Sequence, residues 1–154
     1  MEPGGDLEWY VSAMSNRTLA IIKPDAVARG LTGKILAHLE GEGFHVAAIR
    51  MLRLRESEAG EFYSVHRSRP FFPSLIAFMI SGPCVPMVLL RDAAVATLRR
   101  SIGATDPREA DAGTVRRLFA ESKERNAIHA SDSDENAVRE ERFFFAEADV
   151  LRGQ

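Results

Sequence analysis

The sequence predicts an α/β sandwich, a single layered domain in which strands alternate with amphipathic helices. Three observations predict it. Short β-rich runs such as TLAII (Thr18–Ile22) and CVPMVLL (Cys84–Leu90) alternate with helical periodicities, the pattern of mixed layered folds. The chain has 154 residues, enough for one domain with a sizeable core, and no repeat, low-complexity tract or Pro/Ser linker divides it. Its residues are 45% hydrophobic and 27% charged, an ordinary globular balance.

The elements follow in chain order. Residues 1–16 combine Gly, Pro and acidic residues with Trp9-Tyr10-Val11 and read as an N-terminal extension. Thr18–Ile22 is a strand stopped by Lys23-Pro24, because Pro24 cannot donate to a ladder and biases Lys23 toward extended backbone. In GLTGKILAHLEGEGF, Ile35, Leu36 and Leu39 share a helical face, and Gly41 and Gly43 mark its end. Phe44–Leu54 is apolar and partly alternating, which predicts a strand. Ser57 is the expected cap of a short helix, SEAGEFYSVH. Pro73 opens the next helix in its first turn, with Leu75, Ile76 and Met79 inward. Cys84–Leu90 reads as a buried strand despite Pro86, and Asp92–Ile102 as an amphipathic helix. A loop, a short basic helix around RRLFAESK and a helix near Ser133–Glu141 follow, and Phe143–Phe145 is the expected last strand. The folded domain is thus read as 17–146, with 147–154 as a C-terminal tail.

Charge and cysteine content narrow the function. Twenty Lys+Arg against 22 Asp+Glu give a net charge of −2, which disfavours a nucleic-acid partner. The single cysteine, Cys84, allows neither an intrachain disulfide nor a thiolate zinc site. No apolar run reaches the ~18 residues of a membrane span, and no secretion signal is evident, so the expected compartment is the cytoplasm.

Several residue groups carry candidate chemistry. RGLTGK (Arg29–Lys34) is not a phosphate-binding Walker loop, because two residues rather than four separate its glycines and Ile35 follows the lysine. His38, His45, His66 and His129 show no metal-ligand spacing, so no protein-held metal is expected. His129 precedes Ser131, Asp132 and Ser133. Both Asp132 and Ser133 are good helix caps, and Asp132 with Glu135 resembles a capping box. Residue type leaves two readings of His129 open: a ring facing a phosphate beside a helix N-terminus, or a ring that satisfies a loop hydrogen bond. On the Asp92–Ile102 helix, Arg99 lies at the edge of the apolar stripe while Arg100 points away from it. Arg99, Arg116 and Lys23 together could offset the charge of a polyphosphate. Tyr63 and Phe71-Phe72 offer aromatic faces, one phenylalanine expected for the core and one for stacking on a base.

These segments, in this order, resemble the bacterial-type nucleoside diphosphate kinase family. The matching pieces are RTLAIIKPDAVARGLTG, FYSVHRSRPFF, MISGP, IGATDP, GTVR and RNAIHASDS, spread from Arg17 to Phe145. The resemblance implies a ferredoxin-like α/β (α+β) fold, a four-stranded antiparallel sheet covered by helices. It implies ping-pong transfer of the γ-phosphate of a nucleoside triphosphate (ATP, GTP) to a nucleoside diphosphate (ADP, GDP), with Mg²⁺. By the same resemblance His129 is the nucleophile and Glu140 holds its second ring nitrogen. Lys23 and Tyr63 lie near the transferred phosphate. Arg99, Thr105 and Arg116 hold the other phosphates. Asn126 with Lys23 holds the ribose, Phe71 stacks on the base and Leu75 lines its pocket. The family forms homo-oligomers. The chain departs from the family pattern at Ala130 (commonly glycine), Ala104 (commonly glutamate), Ala112 (commonly proline) and Lys123 (often apolar). Ala130 would be strained if its backbone needs a positive φ.

Overall fold

A computed structural model describes residues 16–154. The expectation for residues 1–15 therefore lies outside the described residues. Among these, four strands form one antiparallel sheet: β1 (Arg17–Ile22), β2 (His45–Ile49), β3 (Val85–Leu90) and β4 (Ile128–Ala130), in the order β2-β3-β1-β4. Both β1 and β2 pair antiparallel to β3, so β1 and β2 run the same way with β3 between them. This is the ferredoxin-like arrangement, and the expected fold class holds.

Helices cover both faces. On one, α2 (Thr32–Gly41), α5 (Ala94–Ile102) and α6 (Val115–Phe119) bring Ile35, Leu39, Leu98, Ile102 and Val115 onto Ala20, Ile22, Met87, Leu89 and Ile128. On the other, α3 (Glu56–Phe62), α4 (Phe72–Met79) and α7 (Asp134–Phe144) bring Phe62, Met79 and Phe144 onto Leu19, Ile21 and Cys84. Strand β1 is buried at every position. A strand covered on both faces reads as an unbroken apolar run rather than an alternation, which explains TLAII.

Pro86 sits within β3 without breaking the sheet. Its carbonyl accepts the Arg50 N–H at 3.2 Å on the β2 side, where the ladder lapses after Ile49 and resumes as the Leu52–Cys84 bridge. The proline thus occupies a site where the ladder is already interrupted. The expected strand Phe44–Leu54 is shortened to His45–Ile49, with a register shift between Val46 and Ala48.

The last strand was misplaced by the sequence reading. Phe143 and Phe144 belong to α7, where Phe144 lies one turn after Glu140, and Phe145 ends the helix in extended backbone. Aromatic β-propensity loses here to packing: all three rings bury against the α3–α4 face. The true fourth strand is Ile128–Ala130, too short to announce itself and held by pairing with Ala20, Ile21 and Ile22. Helix α1 (Pro24–Ala28) was also missed, and α3 begins one residue before Ser57, with the Arg55 N–H donating to Glu58 Oε1 at 2.8 Å.

The C-terminal segment forms α8 (Glu147–Arg152), whose Val150 packs on Ala47 and Val88. Arg17 joins it to the sheet, pairing with Glu141 at 3.0 Å and Glu147 at 2.8 Å. The Glu141 side chain is 7% exposed and that of Glu147 is 54%. Arg17→Ala strands a carboxylate in the interior and is expected to cost about 3 kcal/mol. Glu147→Ala, at the wet end, is expected to cost under about 1 kcal/mol. Urea melts of the two variants check the contrast.

Candidate active site

The site grows from the C-terminal end of β1 and from β4 beside it. The pairing of Ile21 with His129 fixes the histidine on a rigid strand rather than a loop. Its neighbours Ile128 and Ala130 enter the core on one face of the sheet, so the imidazole projects from the other. There Phe62 and Tyr63 meet it edge-on, with ring centroids at 5.5 Å and 6.0 Å. Glu140, reaching in from α7, bonds to His129 Nε2. A carboxylate at that nitrogen holds the neutral ring with its proton on Nε2, which leaves the lone pair on Nδ1. The His129 side chain is 21% exposed while that of Glu140 is 4% exposed, so the ring reaches solvent and its partner does not.

The alternation along β4 also settles Ala130. Among the described non-glycine residues only Ala93 and Ala127 have a positive φ. Ala130 pairs with Ala20 in ordinary strand backbone, and its methyl joins the core on the face opposite the imidazole. It is neither strained nor crowding the ring.

A second group lies where β1 ends. Lys23 is 9% exposed and its Nζ donates to Asn126 Oδ1 at 2.9 Å. The Asn126 amide in turn donates to the Thr105 carbonyl at 3.3 Å. Burial, reinforced by the Arg116 charge and opposed by Asp25, pushes the Lys23 ammonium down to about 8. Lys23 therefore gives up its proton just above neutral pH in the free protein. We expect any activity that depends on this cation to fall above about pH 8 as it is lost, and Lys23→Arg to move that alkaline limb upward by more than one pH unit. A pH–rate profile measures both.

The third group is cationic. Arg116 donates to the Gly103 carbonyl at 3.0 Å and to the Ile128 carbonyl, one residue before His129, at 2.8 Å. Burial, and then the nearby Arg99, push its guanidinium down to about 10. Arg99 also helps to hold Asp132 below the usual carboxylate range, after the Asn136 amide that donates to it. A cleft of about 380 Å³ opens between Arg99, Gly103, Thr105 and Arg116. Arg100 also borders the cleft, but it is exposed and its guanidinium lies 3.5 Å from Thr97 Oγ1, one turn back on its own helix.

The caps at the start of α7 are also redistributed. Ser133 Oγ accepts the Asn136 N–H at 3.1 Å, and Asp132 Oδ1 accepts the Asn136 side-chain amide at 2.5 Å. Asn136 thus stands where Glu135 was expected in the capping box, because the cap is one residue later than Asp132.

The base-side candidates do not line this cleft. Phe71 is 49% exposed and touches His66 at 5.5 Å, Leu75 is half-buried on α4, and Phe72 packs into the core. One phenylalanine of the pair is inside and one outside, as expected. Two residues near the histidine escaped the sequence reading. Phe62 packs edge-on to the ring, and Asp25, 1% exposed, bonds to the backbone next to Asn126. The available signal for Asp25 was a carboxylate placed directly after a strand-ending Lys-Pro. Among the described residues no group of three or more His, Cys, Asp or Glu could hold a metal ion, and no helix is long and apolar enough to cross a membrane.

The family model described as nucleoside diphosphate kinase matches residues 16–150. The nucleoside diphosphate kinase of Chlorobium limicola is 54% identical over 136 residues, which are 88% of this chain and 97% of that one. That of Staphylothermus marinus is 50% identical over 137 residues, 89% of this chain and 97% of that one. Among solved structures, the Aquifex aeolicus nucleoside diphosphate kinase superposes with a TM-score of 0.85 at 47% identity, covering 87% of this chain and 97% of that one. The halophilic nucleoside diphosphate kinase of Halobacterium salinarum, solved in complex with CDP, superposes with a TM-score of 0.83 at 36% identity, covering 88% and 90%.

Proposed function

This chain belongs to the nucleoside diphosphate kinase family, whose members move phosphate between nucleotides through a phosphohistidine, and we propose that His129 is the residue that carries it here. The observation that carries the reading is the bond from His129 Nε2 to buried Glu140, on a ring that still reaches solvent. Nδ1 attacks the γ-phosphorus of a nucleoside triphosphate, an N–P bond forms, and the bond from phosphorus to the β–γ bridging oxygen breaks. The nucleoside diphosphate leaves with that electron pair. Glu140 stabilises the positive charge that gathers on the imidazole as the phosphoryl group arrives. A second nucleoside diphosphate then attacks the phosphorus with its terminal oxygen, and the N–P bond returns its electrons to Nδ1.

Arg99 and Arg116 hold the phosphates at the cleft, with Thr105. Lys23 donates to the transferred group and, with Asn126, to the ribose hydroxyls. The Tyr63 hydroxyl is buried with no protein hydrogen-bond partner, and burial together with the Glu140 charge keeps it a neutral phenol, so it is free to donate to a phosphoryl oxygen. Phe71 takes the base on its exposed face, and Leu75 lines the pocket beside it. Stacking of this kind is indifferent to base identity, which suits ATP, GTP, ADP and GDP alike. Mg²⁺ bound with the nucleotide would offset phosphate charge beside Arg99, Thr105 and Arg116.

The catalytic domain is read as residues 17–146. Exposed Ile49, Met51 and Leu151 gather around edge strand β2 and support a homo-oligomer. One buried free thiol fits a cytoplasmic protein. The alternative is a nucleotide-binding member without turnover, for which Ala130 would be the main support; against it stands the Ala130 methyl, which joins the core on the face opposite the imidazole.

The test is to mix the protein with γ-labelled ATP and no acceptor. Acid-labile label on the protein, discharged by adding GDP, is the expected result. Absence of label, or label that GDP does not remove, overturns the reading.

A further inference from the structure

We propose that Asp25 is a positioning residue, whose carboxylate holds the backbone turn that aligns Lys23, Asn126 and His129. The proposal rests on the reading of His129 as the phosphoryl carrier.

The turn is Asn126–Ala127–Ile128. The Ile128 N–H donates to the Asn126 carbonyl at 2.9 Å, and Ala127, between them, has φ of +72°. That combination is a γ-turn of the rare, strained kind, in a region that costs any residue with a Cβ. Ala127 is fully buried, so water cannot satisfy its amide. The amide instead donates to Asp25 Oδ2 at 3.1 Å. Asp25 is itself 1% exposed, and its other oxygen has no hydrogen-bond partner. The Asp25 charge also favours the Lys23 ammonium, but its hydrogen bond goes to this amide, which belongs to a strained residue two positions before His129.

Three parts of the site depend on this one residue's conformation. The Ala127 carbonyl accepts the Lys23 N–H at 2.8 Å, which ties the end of β1 to the turn. Asn126, the partner of Lys23 Nζ, precedes the turn. Ile128, whose carbonyl holds Arg116, follows it and leads straight into His129. Release of Ala127 toward relaxed backbone rotates the peptide planes on both sides of it. The lysine, the asparagine and the histidine then lose their common register.

The experiment is a rescue. Asp25→Ala is expected to lower kcat/KM on the order of 10²-fold, the cost of a small misalignment of reacting groups, with the loss mainly in kcat. Asp25→Asn keeps an acceptor oxygen and is expected to stay within about fivefold of wild type, the difference between a charged and a neutral acceptor. Ala127→Gly, placed in the Asp25→Ala background, is expected to restore at least about tenfold, because glycine reaches φ of +72° without a Cβ penalty. Asp25 also lies in the first turn of α1, and a purely structural role there would not respond to a change at Ala127. Full activity of Asp25→Ala overturns the proposal. So does a folded, inactive Asp25→Ala that Ala127→Gly does not rescue. If Asp25→Ala fails to fold, the same pair is read with Asp25→Val, which also removes the acceptor but leaves less of a void: a loss that Ala127→Gly repairs supports the proposal, and an unrepaired loss or no loss overturns it. Failure of the phosphohistidine reading shows separately, as wild-type protein that takes no label from γ-labelled ATP.

Discussion

His129→Ala is expected to abolish phosphoryl transfer, lowering kcat by at least about 10⁴-fold, the scale of losing a covalent nucleophile. Nucleotide binding should survive within a few-fold, because in the proposed arrangement the phosphates meet Lys23, Arg99 and Arg116 rather than the imidazole. The fold should survive too. His129 is one of three residues in β4, its backbone pairing with Ile21 does not involve the ring, and the ring is partly solvated. Titration with a fluorescent ADP analogue, alongside a coupled turnover assay, separates the two effects. Retained turnover rejects the mechanism. Loss of binding together with turnover shows instead that the ring helps to hold the ground state.

Glu140→Gln is the second large effect, expected at about 10²- to 10⁴-fold in kcat with KM little changed. The amide nearly matches the carboxylate in shape, so the fit of the buried side chain persists. What changes is the proton. A carboxylate only accepts, which forces the proton onto Nε2 and the lone pair onto Nδ1. Glutamine can also donate through its NH₂ group, which admits the opposite tautomer, with Nδ1 protonated and unable to attack. It supplies no negative charge as the imidazole becomes cationic. Slower labelling of the protein by γ-labelled ATP, at unchanged nucleotide affinity, is the expected observation. An equal loss in affinity would mean that Glu140 acts on substrate binding rather than on the ring.

The legibility of the chain differed by element. The apolar run of β1, the amphipathic stripe of α5 and the stop at Lys23-Pro24 each express a local rule, and each was readable. The His129 segment was readable as a motif, although residue type alone left its role open. The three-residue strand that carries His129 was not. Its pairing partners lie more than a hundred residues away in β1, and a run that short has no period to detect. Phe143–Phe145 misled for the converse reason. Aromatic residues favour strands on average, but the place left under α3 and α4 is filled by a helix end.

Sequence by itself determined the layered α/β class, the single thiol, and which ordered segments mark the family. Tertiary structure alone decided that the methyl of Ala130 turns away from the ring, that the Arg116 guanidinium reaches the carbonyl before His129, and that Asp25 answers a strained amide across the fold. The physical reason is range. Propensity, periodicity and proline stops act over a few residues and are written in neighbouring letters. The face a strand shows, the reach of a long side chain and the partner of a buried amide depend on what another part of the chain brings alongside.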